Sequence, residues 1–95
     1  MEPTLNDVVT MSEDVLFREL DDEAVLLNLK TGIYFGLNPV GTRVWQLLAE
    51  HRVLSRVLEA VASEYDVERD VLEQDLLQLA RQLYEAGLCQ PAPST

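Results

Sequence analysis

The chain holds one cysteine, one histidine and only seven basic residues against seventeen acidic ones. A single cysteine excludes an internal disulfide, and Cys89 falls at the end of the last predicted helix, where a small apolar side chain packs. His51 lies between two predicted helices, with no cysteine or second histidine at metal-ligand spacing. No metal or other cofactor is therefore expected. No run approaches the roughly 18 apolar residues that a membrane span needs. The opening residues, MEPTLNDVVTMSEDV, are acidic and lack the apolar core of a signal peptide. The cytoplasm is the expected location.

The motifs of catalysis are missing as well. There is no GxSxG elbow, no phosphate-binding P-loop and no HExxH. Gly32 and Gly36 lack the third glycine and the strand-to-helix setting of a dinucleotide site. The carboxylates of Asp21, Asp22 and Glu23 sit in a predicted turn, where solvation is the expected role and nothing tunes a proton-transfer group. The net charge of −10 repels nucleic acid and anionic membranes alike, because binding to either depends on basic groups. What composition leaves is a non-enzymatic protein of 95 residues, 47% hydrophobic, forming one small domain.

What is present is a change of period. Val15–Leu20, Ala24–Leu29 and Ile33–Leu37 read as three short strands joined by turns at Asp21–Glu23 and Lys30–Gly32. Gly32 suits a turn position of positive φ. From Asn38–Pro39 the spacing becomes helical: Asn caps free backbone N–H groups and Pro fits the first helical position. Val40, Val44, Leu47 and Leu48 mark a first helix ending at His51–Arg52, with Trp45 on an adjoining face. Leu54, Val57, Leu58, Val61 and Ala62 mark a second helix over 53–65. A third spans Arg69–Ala86 and stops at Gly87. Its seam is Leu72, Leu76, Leu79 and Leu83, with Leu77, Ala80 and Tyr84 as a shoulder, a wider apolar face than one packing surface requires.

This order predicts an α+β domain of winged-helix type, a three-stranded antiparallel meander followed by three helices. Residues 1–13 are expected to form a flexible arm, with Val8–Val9 as a short extended piece, and 90–95 a disordered tail. A winged helix can bind DNA through its recognition helix. Here the third helix, LEQDLLQLARQLYEA, offers a single Arg81, which disfavours a DNA-binding regulator. A structural subunit of a larger enzyme is a further alternative. The meander should keep one edge open, and an open edge can take up an extended peptide as an added strand. Ile33, Phe35 and Leu37 point to one side of that strand, and Tyr34 and Gly36 to the other. Gly36 leaves room for close backbone approach.

The run EAVLLNLKTGIYFGLNPVGTRVWQLL, followed by EYDV, the helix carrying Asp75 and the terminal EAGL, resembles the PqqD-like family over residues 14–89. These are small recognition elements of pathways that modify ribosomally made peptides (RiPP pathways). The resemblance implies a non-catalytic adaptor that binds the leader segment of a precursor peptide between the third strand and the third helix. It implies a site built from Ile33, Tyr34, Phe35, Gly36 and Leu37 on the strand. On the helix it implies Val71, Leu72, Asp75, Leu76 and Leu79, with Asp75 able to pair with a leader Lys, Arg or backbone amide. The TGxYFxLN pattern is similar to that of the stand-alone proteins of lasso-peptide clusters, whose partners are a leader peptidase and an ATP-dependent cyclase. The alternative is pyrroloquinoline quinone biosynthesis, where the partner is a radical SAM enzyme.

Overall fold

Two antiparallel sheets and three helices make up the computed structural model, which describes residues 2–92. The first sheet joins β1 (Val9–Met11) to β5 (Cys89–Pro91), the two extremities of the domain. The second is the expected meander, β2 (Val15–Leu20), β3 (Glu23–Asn28) and β4 (Tyr34–Leu37), in the order β2-β3-β4. Between β4 and β5 run α1 (Pro39–His51), α2 (Leu54–Glu64) and α3 (Arg69–Glu85).

The signals that delimit these elements act as the sequence predicts. Asp21, at φ +57°, makes the tight β2–β3 turn, a conformation that Asp tolerates better than most residues. Gly32 takes φ +76° in the β3–β4 turn, and Gly87 takes φ +72° just past α3. Asn38 Oδ1 accepts a hydrogen bond of 2.7 Å from Gly41 N, closing the N-terminus of α1 ahead of Pro39.

The extremities depart from the flexible arm expected over residues 1–13 and the disordered tail expected over 90–95. Val9 is buried and pairs with Pro91, and Met11 pairs with Cys89. Leu5 O and Asp7 O accept hydrogen bonds from Ser55 N and Leu54 N at the start of α2. Tyr84 Oη donates to Asp7 at 3.0 Å. Three-residue strands are too short to show a period, and their partners lie some eighty positions away in sequence. Residues 93–95 of the expected tail lie outside the described residues.

The core gathers Leu26 from the sheet, Val44, Leu47 and Leu48 from α1, Leu54, Val57, Leu58 and Val61 from α2, and Leu72, Leu76 and Leu83 from α3. Trp45 is buried with them. One detail of α3 differs from expectation: Ala80 joins the buried stripe, whereas Leu79 is only half-buried. Its apolar stripe is therefore turned slightly away from Leu79, which is left on the flank of the helix. α1 packs against β3 and β4, while α3 packs against α2 and β5. That difference in packing opens a gap between β4 and α3.

Candidate functional site

The gap is a groove of about 440 Å³. Phe35, Gly36 and Leu37 of β4 form one wall, and Leu72, Asp75, Leu76, Gln78, Leu79 and Gln82 of α3 form the other. On α3 these positions recur every three or four residues, so they share one face of the helix. The floor comes from Val40, Gly41 and Val44 of α1 and from Leu58 and Val61 of α2, with Tyr65 and Val67 behind them. The result is an apolar trough with a polar rim of Asp75, Gln78 and Gln82.

The edge of the trough is defined by hydrogen-bond alternation. β4 pairs with β3 in the register Ala24↔Leu37, Val25↔Gly36, Leu26↔Phe35 and Leu27↔Tyr34. At the turn, Asn28 N donates to Ile33 O at 2.9 Å. In an antiparallel ladder, pairs that exchange hydrogen bonds alternate with pairs that do not. Counting from Asn28↔Ile33, the backbones of Phe35 and Leu37 bond inward to Leu26 and Ala24. Those of Tyr34 and Gly36 point outward, away from β3. Because β4 is the last strand of its sheet, these N–H and C=O groups meet no further strand among the described residues. An edge of this kind is a template for a strand from another chain.

Gly36 is the point of closest access. Its φ is not in the left-handed region, and a methyl group placed on its Cα would meet nothing within 4 Å. Neither the backbone conformation nor the packing of this chain demands glycine there. Gly36 also borders a second recess of about 480 Å³, shared with Leu37 and the Leu20–Val25 hairpin. The free edge thus has a hollow on each side.

Seven of the ten residues expected at the site line the groove together: Phe35, Gly36, Leu37, Leu72, Asp75, Leu76 and Leu79. Three do not. Tyr34, 70% exposed, lies on the opposite face of the sheet, in register with Leu27 and through it with Leu16. Ile33 precedes the strand and is exposed. Val71 is exposed on α3 outside the lining. The floor supplied by α1 and α2 lies outside the residues that the sequence points to. Their helical periodicity marks Val44, Leu58 and Val61 as buried, but burial alone does not distinguish packing against a neighbour from lining a hollow.

Among the described residues no group of three or more His, Cys, Asp and Glu side chains could hold a metal ion. Cys89 is buried in β5, and burial pushes its thiol up to about 12, far from the range in which a thiolate forms at neutral pH. Among the described residues no helix is long and apolar enough to cross a membrane.

Comparison with known proteins places the chain. A family model described as coenzyme PQQ synthesis protein D (PqqD) matches residues 23–88, from the start of β3 to the residue before β5. Among solved structures, TbiB1 in complex with the TbiA(beta) leader peptide is 39% identical with a TM-score of 0.81, covering 90% of this chain and 99% of that one. A lasso peptide synthetase B1 complexed with the leader peptide is 28% identical with a TM-score of 0.78, covering 88% of this chain and 99% of that one. No curated protein matches the sequence. A family match over well more than half of the chain, on a fold of three antiparallel strands followed by three helices, has one reading: the chain belongs to the PqqD family.

Proposed function

We propose that this protein captures the leader segment of a ribosomally made precursor peptide as an added strand on β4 and presents it to the enzymes of a lasso-peptide or related pathway. The observation that carries this reading is the pair of outward-facing backbones, Tyr34 and Gly36, directly beside the groove. Backbone bonds to the edge supply affinity that depends little on sequence, and alternate side chains of the peptide supply the choice. Those on the inner side enter the trough between β4 and α3, against Phe35, Leu37, Leu72, Leu76 and Leu79. Asp75 on the rim pairs with a basic side chain or a free amide of the leader. Both solved relatives hold leader peptides, which supports the same ligand class here.

The protein acts in this reading as a non-catalytic adaptor in the cytoplasm. Its downstream partners are a leader peptidase and an ATP-dependent cyclase, which would receive the peptide already held extended. Binding a segment that is disordered beforehand costs ordering entropy, and a preformed edge and groove limit that cost to the peptide's side. Calorimetric titration with a synthetic cognate leader peptide should give a Kd of about 1 μM or tighter. Saturation at one leader per chain, with amide shifts centred on residues 33–37 and 72–79, is the expected result. Shifts centred on the β1–β5 sheet would move the site elsewhere.

A further inference from the structure

Among the described residues Asn28 is one of two buried polar ones, and every hydrogen-bonding position of its side-chain amide is used. Its Nδ2 donates to Ala86 O at 2.9 Å and to Gly87 O at 3.4 Å, just past the end of α3. Its Oδ1 accepts from Lys30 N at 3.0 Å and from Thr31 N at 3.3 Å, in the turn that leads into β4. The backbone of the same residue holds that turn from the other side, through Asn28 N to Ile33 O and Gly32 N to Asn28 O. One side chain thus caps the C-terminus of α3 and pins the start of β4.

These are the two walls of the groove. α1 rather than α3 packs on β3 and β4, so the other path from α3 to β4 runs through α2 and α1. A hydrogen-bonded buried amide holds its neighbours to a narrower range of geometry than apolar packing does, because loss of any one bond strands a desolvated group. We infer that Asn28 is the positioning residue of the groove, fixing the spacing between the free edge of β4 and the α3 wall that faces it. The inference rests on the peptide-binding reading only for its functional consequence; the spacing itself belongs to the ligand-free chain. Gly87 belongs to the same device: a side chain there would place its Cβ 3.0 Å from Asn28 Nδ2, on a backbone already at φ +72°.

Amide-resolved NMR of the full-length chain, wild type and Asn28→Ala, without and with leader peptide, tests this. In the ligand-free variant, amides of both walls, 34–37 and 79–82, should shift, while those of the interior of α2 stay in place. Leader affinity, measured well below the melting temperature, should fall about tenfold. Gly87→Ala, which crowds the clasp from its other end and leaves Asn28 present, should move the same wall amides and serves if Asn28→Ala does not fold. Shifts confined to 28–33 and 86–87, with leader affinity within about twofold of wild type, would show that Asn28 only stabilises and would overturn the proposal. If the wall amides move but wild type binds no leader, the positioning role stands and the peptide reading falls.

Discussion

Gly36→Pro is expected to weaken leader binding by about a hundredfold or more while leaving the domain folded. Proline at this position removes one N–H, and that N–H points outward to the free edge rather than into the β3–β4 ladder. Proline is tolerated on edge strands where its missing donor would have faced solvent. Phe35 and Leu37, which carry the inward bonds, keep theirs. An added strand loses a backbone hydrogen bond and meets the pyrrolidine ring where its carbonyl would approach. The matched control is Phe35→Pro, which removes an inward bond and should destabilise the sheet itself. Circular dichroism and thermal melting read the fold, and calorimetry reads the binding. Wild-type affinity in a folded Gly36→Pro variant would show that the peptide does not use this edge.

Leu58→Ala is expected to do the reverse, with its main effect on stability. Leu58 is fully buried on α2, packed in the core while forming part of the groove floor. Removing its isobutyl group forfeits transfer free energy and leaves a cavity, together costing about 3 kcal/mol. A domain of this size has a total stability of roughly 5–15 kcal/mol, so the loss is a large fraction of it. The melting temperature should fall on the order of 15 °C. Denaturant titration should show a lower midpoint with an unchanged slope. A midpoint close to that of wild type would mean that α2 collapses to fill the space.

The two variants separate what the sequence makes legible from what it does not. The β2–β4 meander and all three helices follow from alternation, helical spacing and their punctuation by Gly32, Asn38–Pro39 and Gly87, each of which acts locally. β1 and β5 leave no such trace, since three residues carry no period and the pairing of Val9 with Pro91 spans nearly the whole chain. The site divides along the same line. The alternation of Tyr34–Leu37 shows which side chains face inward, and the wide apolar face of α3 shows that the helix has more to cover than one neighbour. Which flank of α3 meets the groove depends on how the helix is rotated in the packed domain. That rotation buries Ala80, half-exposes Leu79 and leaves Val71 outside. Asn28 shows the limit most clearly: in sequence it is a polar residue within the strand expected over Ala24–Leu29, and its meaning comes from carbonyls 58 and 59 positions away.

The central claim, that the leader adds to β4 through the outward groups of Tyr34 and Gly36, has a direct test in amide hydrogen exchange along that strand. In the free chain, Phe35 and Leu37 should exchange slowly, because their N–H groups are held in the β3–β4 ladder, while Tyr34 and Gly36 exchange fast. Saturation with leader peptide should slow Tyr34 and Gly36 by about tenfold or more, converting an alternating pattern into a uniformly protected strand. A saturated complex in which Tyr34 and Gly36 still exchange at their free rates would contradict strand addition.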